Sequence, residues 1–253
     1  MDFFENFVEY YDELFPVAES KIQFYENLQN NFTTPIKSLH LGSATGVLEH
    51  HLAKKGFDIT GIEVSQPLLD SACLKRRTQL MSLRFFKLST LLMGNVLGKN
   101  FYNVISALND RIIFVKTKEA FETLISQCKE LLTHDGIFII QTHNYNKIKK
   151  ENDFSILTRK SIRTSLESEI NTIGNEFFIT QTLETPNGKK VSISNNQKIY
   201  IPYPTEIEEI AKKYNFKPLM WSGMYFRLAN DLEYYPPEPV LTDEVKALIP
   251  NEV

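Results

Sequence analysis

One stretch decides the fold of this 253-residue chain: Ser38-Leu39-His40-Leu41-Gly42-Ser43-Ala44-Thr45-Gly46. It begins inside a short apolar run, 36–41, of the kind that forms a buried strand, and a helical pattern runs on to about residue 55. Small residues between strand and helix let the backbone pass close to a bound ligand, and free amides at a helix start favour a negative group. A tight strand-to-helix turn also needs glycine without any ligand, so the loop alone leaves both interpretations open.

Strand and helix patterns alternate along the chain beyond this loop. Further strands are predicted at 58–63, 83–88, 102–108 and 136–142, and helices at 66–77 and 117–132. Such alternation implies parallel pairing, and strands that are apolar on both faces imply burial beneath helices. The sequence therefore predicts an α/β domain with a mostly parallel sheet, whose core we place at 35–145.

The segments on either side of this core have different patterns. Two amphipathic helices are predicted in an N-terminal helical segment, 1–34. Strand-like stretches and a hairpin signal at Pro186-Asn187-Gly188 predict an antiparallel β insertion over 155–203. A capping box of Thr205 and Glu208 predicts a helix, which two closing strands follow within 204–230. We interpret the chain as one domain that ends in a tail, 231–253.

The composition argues against several classes of partner. Lys and Arg number 28 against 31 Asp and Glu, a formal net charge of −3, so we expect no nucleic-acid partner. Cys73 and Cys128 are too few for a disulfide framework, and we expect no metal site. The first 15 residues lack the basic start of a signal peptide, and no stretch is apolar enough to span a bilayer. We therefore expect a cytoplasmic protein without a membrane partner. The sequence leaves its oligomeric state open.

An acidic residue at the end of the second predicted strand favours ligand binding by the glycine loop. Glu63 lies 17 residues after Gly46. An acid at this place in a βαβ unit can accept hydrogen bonds from both hydroxyls of a nucleoside ribose. A solvated strand end is the alternative for a lone Glu, but the loop and the acid together are harder to obtain by chance.

The pattern resembles that of the class I S-adenosylmethionine-dependent methyltransferases. The resemblance is carried by the stretches 39–46, 52–56, 59–65, 101–109 and 131–140, and more loosely by 204–226. It implies a Rossmann-like, mostly parallel sheet of seven strands flanked by helices, with S-adenosylmethionine as the cofactor. A nicotinamide cofactor fits less well, because the small residues are spaced Gly-x-Ala-x-Gly rather than G-x-G-x-x-G. The resemblance places the cofactor against Gly42, Ser43, Ala44, Gly46, Glu63, Val64, Ser89, Ala107 and Leu108.

Three residues depart from that family pattern. His40 stands where the family usually has an acid, and so removes a negative charge from beneath the loop. Ala44 replaces a glycine, which is tolerable if its backbone angles are ordinary. Ser89 stands near the place of an aspartate that usually meets the adenine amine, and a neutral hydrogen bond is weaker than one to a carboxylate. Together the departures keep open a degenerate, non-catalytic relative that binds the cofactor or a partner.

Methyl transfer from a sulfonium is a direct displacement that needs the acceptor held in line, and no single motif marks it. The residues expected to contact the acceptor are Asn109, His143, Asn144, Tyr145 and Tyr11. His143 could act as a base towards a hydroxyl acceptor, or could simply be a hydrogen-bonded loop histidine. The insertion is expected to roof the acceptor pocket. We predict a methyltransferase acting on a small molecule, with a protein or tRNA acceptor as a further alternative.

Overall fold

The computed structural model describes residues 3–30, 32–75, 82–143, 145, 158–222 and 225–229, and no side chains of 3–6, 218–222 and 225–229. Asn144 and the tail, 231–253, therefore lie outside the described residues. The strands are β1 (Lys37–Leu41), β2 (Asp58–Glu63), β3 (Leu83–Lys87), β4 (Tyr102–Ala107), β5 (Leu132–Gln141), β6 (Arg159–Lys160), β7 (Ser165–Ile173), β8 (Glu176–Glu184), β9 (Lys190–Ile199), β10 (Lys217–Ser222) and β11 (Tyr225–Ala229). The helices are α1 (Phe3–Leu14), α2 (Glu19–Gln29), α3 (Val47–Lys54), α4 (Gln66–Lys75), α5 (Met93–Val96), a 3₁₀ helix (Arg111–Val115), α6 (Lys118–Leu131) and α7 (Pro204–Lys213).

Seven strands form the main sheet, in the order β10-β11-β5-β4-β1-β2-β3. The five strands from β5 to β3 are parallel, and β11 pairs antiparallel with both β5 and β10. The expected α/β architecture with a mostly parallel sheet is confirmed. From β1 the chain builds outward through β2 and β3 on one side and through β4 and β5 on the other. That reversal leaves a crevice at the carboxyl ends of β1 and β4.

The central parallel strands β1, β2 and β4 are buried on both faces along most of their length. Alternate residues of a strand point to opposite faces. In β4, Val104 belongs to the apolar cluster on one face, which α2 and α3 cover, and Ile105 belongs to the cluster on the other, which α6 and α7 cover. The apolar stripe of α6 is buried as its helical spacing predicts, and the Thr117 hydroxyl caps this helix by accepting a bond from the Ala120 amide at 3.1 Å.

The predicted insertion is a separate four-stranded antiparallel sheet, in the order β6-β7-β8-β9. The expected turn at 186–188 joins β8 to β9, with Gly188 at a φ of +76°. One face of this sheet packs on α1, where Leu166 and Leu183 meet Phe7 and Leu14 in a common cluster. The N-terminal helix and the second sheet together therefore lie over the carboxyl edge of the main sheet.

Two local predictions were wrong. The capping box of Thr205 and Glu208 does not form, because the helix begins two residues earlier than that box requires. Pro204 is its first residue, and Tyr203 is an N-cap whose side chain makes no capping bond. The fifth strand begins at Leu132 rather than at 136. Its pairing with β4 shifts register between Leu132 and Ile137, so a local irregularity hides the earlier start from a simple alternation pattern.

Gly46 offers a test of the packing around the loop. A Cβ atom at Gly46 would lie 2.6 Å from Phe85 Cζ, and φ is +71°, whereas Gly174 has a φ of +62° and open space around it. We expect Gly174→Ala to cost about 1 kcal/mol for its left-handed backbone, and Gly46→Ala to cost more than about 2 kcal/mol because a clash is added. Urea unfolding of both variants measures the two losses. Equal losses would contradict close packing of Phe85 on the loop.

Candidate functional site

A cavity of about 560 Å³ lies at the carboxyl edge of the main sheet, beneath the second sheet. Its floor is formed by the ends of β1, β2, β4 and β5 and the loops that follow them. Its roof comes from α1 and from inward-facing residues of β7, β8 and β9, among them Leu166, Ile179 and Ile193. This is the crevice at which ligands bind in open parallel sheets, because the chain leaves the strands in opposite directions there.

Glu63 connects the two loops that bound this cavity. Its carboxylate is buried and accepts three backbone hydrogen bonds: from Ala44 at 3.0 Å, Val64 at 2.8 Å and Ser65 at 3.0 Å. The Ala44 amide belongs to the loop after β1, whereas the other two follow β2. The Glu63 side chain therefore fixes the position of the glycine loop against the end of the neighbouring strand.

The glycine loop has a left-handed backbone at alternate residues. The φ angles are +70° at Gly42, +49° at Ala44 and +71° at Gly46. Ala44 thus does not have ordinary backbone angles, and its methyl group carries a strain of about 1 kcal/mol. Its amide bond to Glu63 offsets part of that strain. At Gly42 a Cβ atom would lie only 3.0 Å from Arg111 Cδ, so glycine is needed there to let the arginine side chain cross the loop.

The negative charge that His40 was expected to remove is supplied by another residue. His40 Nδ1 lies 2.8 Å from Glu49 Oε1, and both side chains are buried beneath the loop. Glu49 projects from the first turn of α3, nine residues further along the chain. The carboxylate beneath the loop is therefore on the helix that follows β1 and not on β1 itself. A family pattern aligned on residue 40 does not reveal it.

A buried lysine approaches the same loop from α2. Lys21 Nζ donates a hydrogen bond to Asn109 Oδ1 at 3.0 Å, and both residues line a second cavity of about 50 Å³ next to Gly42. Burial, and then repulsion from Arg159, lower the pKa of Lys21 to about 8. The ammonium group is therefore charged at neutral pH, but it loses its proton at a lower pH than an ordinary lysine does.

The large cavity is also lined by three of the expected acceptor contacts. Arg111 Nη2 donates to the Tyr11 hydroxyl at 2.6 Å, and burial, opposed by Arg111, raises the pKa of Tyr11. His143 and Tyr145 line the cavity at the end of β5. The His143 ring bonds through Nδ1 to Asp110. The loop after β4, the end of β5 and helix α1 thus meet in one place.

The two cavities account for most of the expected site residues. Lining the large cavity are Gly42, Glu63, Val64, Ser89, Ala107, Asn109, Tyr11, His143 and Tyr145. Lining the smaller one are also Ser43, Ala44 and Leu108. Gly46 lines neither cavity as described, because its α-carbon packs against Phe85 and Ala72 instead. The expected contact of Gly46 with the cofactor stays a prediction.

Among the charged residues of the site that did not stand out in the sequence are Lys21, Glu49, Asp110 and Arg159. Asp110 directly follows Asn109 at a strand end, which is a signal that could have been used. The other three come from helices and from a short edge strand, and only the packing of those elements brings them to the cavity. Among the described residues no cluster of three or more His, Cys, Asp or Glu is arranged to hold a metal ion. No described helix has the length and apolar content to cross a membrane.

Known proteins that are similar to this chain in sequence or in fold point to one family. No family model matches the chain. A protein of Geobacillus sp. (strain WCH70), named as a proposed methyltransferase, is 25% identical over 179 residues, which cover 67% of either chain. This similarity supports the resemblance to the class I S-adenosylmethionine-dependent methyltransferases. The fold is also that of the CcbJ methyltransferase of Streptomyces caelestis, with a TM-score of 0.70, 16% identity and coverage of 90% and 96% of the two chains.

A second similar structure is that of CalS10 from Micromonospora echinaspora, an amino pentose methyltransferase of calicheamicin biosynthesis with S-adenosylmethionine bound. Its TM-score is 0.61 at 11% identity, over 88% of this chain and 95% of that one. At such low identities the two structures establish the fold of this chain. The fold includes both the sheet order and the position of the crevice.

The buried Lys21 predicts a pH dependence of stability. Between pH 8 and its ordinary pKa near 10.5, the unfolded chain holds a proton on Lys21 that the folded chain has released, so raising the pH stabilises the fold. We expect wild type to gain more than about 1 kcal/mol relative to Lys21→Met between pH 7.5 and pH 9.5 in urea unfolding. The exposed Lys54→Met is the matched control and should show no such gain. A constant difference between wild type and Lys21→Met would contradict the lowered pKa.

Proposed function

We propose that this protein is a methyltransferase that takes its methyl group from S-adenosylmethionine and transfers it to a small molecule. The observation that carries the proposal is the buried carboxylate of Glu63, which faces the large cavity at the end of β2. An ionised carboxylate offers about four sites for hydrogen bonds, and three are used by backbone amides. Glu63 is therefore rigidly held and still has an acceptor site for a ribose hydroxyl.

The surroundings of Glu63 fit the two ends of the cofactor. On the adenine side, the cavity is lined by Val64, Leu68, Leu88 and Ser89, three apolar side chains and one hydroxyl. On the other side, the glycine loop is flanked by the side chain of Arg111. A flat apolar slot suits a purine ring, whereas a cation beside a loop suits the carboxylate of the methionine part.

The size of the cavity favours a small acceptor. A volume of about 560 Å³ has to hold both cofactor and acceptor, and the second sheet covers it from above. A duplex or a folded protein could place no more than a flipped base or a single side chain in such a space. The described lining has three cations, Arg111, Lys116 and Arg159, which is far from the continuous basic strip that a phosphate backbone needs. The amino pentose substrate class of CalS10 is in keeping with a small acceptor.

Calorimetric titration tests the role of Glu63. We expect wild type to bind S-adenosylmethionine and S-adenosylhomocysteine but not NAD, and Glu63→Gln to bind the two adenosyl ligands at least about tenfold more weakly, since a hydrogen bond to a charged group is lost. The matched control is Glu130→Gln, an exposed residue paired with Lys99. Thermal unfolding shows whether each variant keeps its fold. No binding by wild type would refute the proposed function, and binding without transfer to any acceptor would favour a non-catalytic relative.

The proposed role of Arg111 can be tested with a truncated ligand. 5′-Methylthioadenosine keeps the adenosine and sulfur of the cofactor but lacks the amino acid part. If Arg111 binds the carboxylate, Arg111→Met should weaken S-adenosylhomocysteine binding by about tenfold or more and leave methylthioadenosine binding nearly unchanged. Calorimetry with both ligands measures the difference. An equal loss for both ligands would show that Arg111 acts by supporting the fold around Gly42.

A further inference from the structure

A histidine and an aspartate form a buried pair in the wall of the large cavity, where β4 and β5 end. Asp110 accepts hydrogen bonds from His143 Nδ1, from the His143 backbone amide at 2.8 Å and from the Thr142 hydroxyl at 2.9 Å. Burial alone would raise the pKa of Asp110, but the bonds from His143 and Thr142 outweigh it and hold that pKa below its ordinary value. Asp110 is therefore ionised at neutral pH. An ionised carboxylate only accepts hydrogen bonds, so Nδ1 carries a proton, and in the neutral form of the ring the lone pair is on Nε2.

The lone pair of His143 has no partner within the described part of the chain. Nε2 is buried, and the residue is only 6% exposed and lines the large cavity. An unsatisfied buried polar atom costs about 1–3 kcal/mol, and such atoms in native proteins call for an explanation. A histidine that served only to connect two loops would not need an unpaired Nε2 atom. A histidine whose lone pair receives a proton from a bound molecule needs that nitrogen to be free.

The backbone around Asp110 is strained in a way that positions the carboxylate. Asn109 and Asp110 have φ angles of +54° and +57°, two consecutive left-handed residues without a glycine. Gln141 at the end of β5 holds both of them: its side-chain oxygen accepts from the Asn109 amide at 3.2 Å and its carbonyl from the Asp110 amide at 3.1 Å. Strain of this kind concentrates at functional sites because surrounding structure must maintain it.

Tyr145 fixes the histidine ring from the side. The two rings meet edge to face, with centroids 6.2 Å apart and an angle of 75°. Burial, and then the Asp110 charge, raise the pKa of Tyr145 well above 10. The phenol therefore keeps its proton over the whole working range of pH. Among the described residues, the charged or titratable groups that face this pair of rings include Asp110 and, through its effect on Tyr145, Arg159.

We propose that the methyl acceptor is a hydroxyl group, that His143 takes its proton during the transfer, and that Asp110 is the positioning residue for His143. This inference rests on the proposed methyltransferase function. A new bond joins the acceptor oxygen to the methyl carbon, and the methyl–sulfur bond breaks with its electron pair left on sulfur. The hydroxyl proton moves to His143 Nε2. Positive charge passes from the sulfonium to the imidazolium, where the Asp110 carboxylate stabilises it.

The charges of the cavity favour a hydroxyl over an amine. A neutral amine displaces the methyl group without a base, and the product ammonium carries the charge itself. An amine would also arrive largely protonated at neutral pH and would need a free carboxylate. Glu63 and Asp110 are the only acids in the lining as described, and both are engaged, whereas the lining also contains three cations. The roof offers neutral partners to a polar uncharged acceptor through Ser168, Gln181, Ser194 and Gln197.

A matched pair of probes tests this inference. We would incubate the enzyme and S-adenosylmethionine with 2-naphthol or 2-naphthylamine, which differ only in the reacting group, and measure S-adenosylhomocysteine and the methylated product. We expect the methyl ether from naphthol and no methylated amine. His143→Gln should lower kcat by about 100-fold or more and abolish the ionisation in its pH profile, with cofactor affinity within about twofold of wild type. Asp110→Asn should lower kcat with little change in KM, and the exposed His134→Gln should match wild type.

A second measurement decides the question even if neither probe is methylated. Nitrogen-15 NMR of the complex with S-adenosylhomocysteine reports which nitrogen of His143 is protonated, and we expect the Nδ1–H form, with an Nε2 resonance that shifts on adding 2-naphthol. An Nε2–H form, or no response to naphthol, would overturn the inference. So would methylation of the amine at equal rates by wild type and His143→Gln. Failure of the cofactor to bind in calorimetry would instead refute the proposed function itself.

Discussion

Three backbone amides converge on the carboxylate of Glu63, and the geometry of the site depends on that convergence. An unpaired carboxylate at this depth would cost several kcal/mol, so the amides of the loop after β1 and of the turn after β2 must remain in place. The left-handed angles at Gly42, Ala44 and Gly46 are what bring the Ala44 amide round to the acid. The wall of the cavity is thus fixed before any ligand binds, which lowers the entropic cost of binding.

Opposite charges alternate around this loop. Arg111 crosses above Gly42, while the pair of His40 and Glu49 and the ammonium of Lys21 lie on the other side. Each buried charge has a partner of opposite sign or a hydrogen-bond acceptor, as burial demands. The acid that the family pattern has on β1 is provided here by α3. With His40 at residue 40, a carboxylate is still present beneath the loop, but it belongs to Glu49.

The acceptor end of the cavity is assembled from parts that are far apart in the chain. Helix α1, the loop after β4, the end of β5 and the second sheet each contribute side chains to it. The main sheet supplies rigid strand ends, and the second sheet closes the space above them. The part of the cavity proposed for the cofactor follows a short sequence motif, and the part proposed for the acceptor follows from packing. The division explains why relatives with the same main sheet can differ in the molecule they accept.

The sequence by itself determined the order of strands and helices, the antiparallel insertion, the glycine loop and the acid at residue 63. These features are local, because strand period, helix period and turn residues are read within a few neighbours. The pairing of His143 with Asp110, of His40 with Glu49 and of Lys21 with Asn109 was decided only by tertiary structure. Such pairs join residues on different elements, and a side chain's protonation and orientation depend on which elements pack together. The loop and the acid that carry the proposed cofactor site are therefore visible along the chain, whereas the pairs that carry the proposed acceptor chemistry depend on how the chain folds.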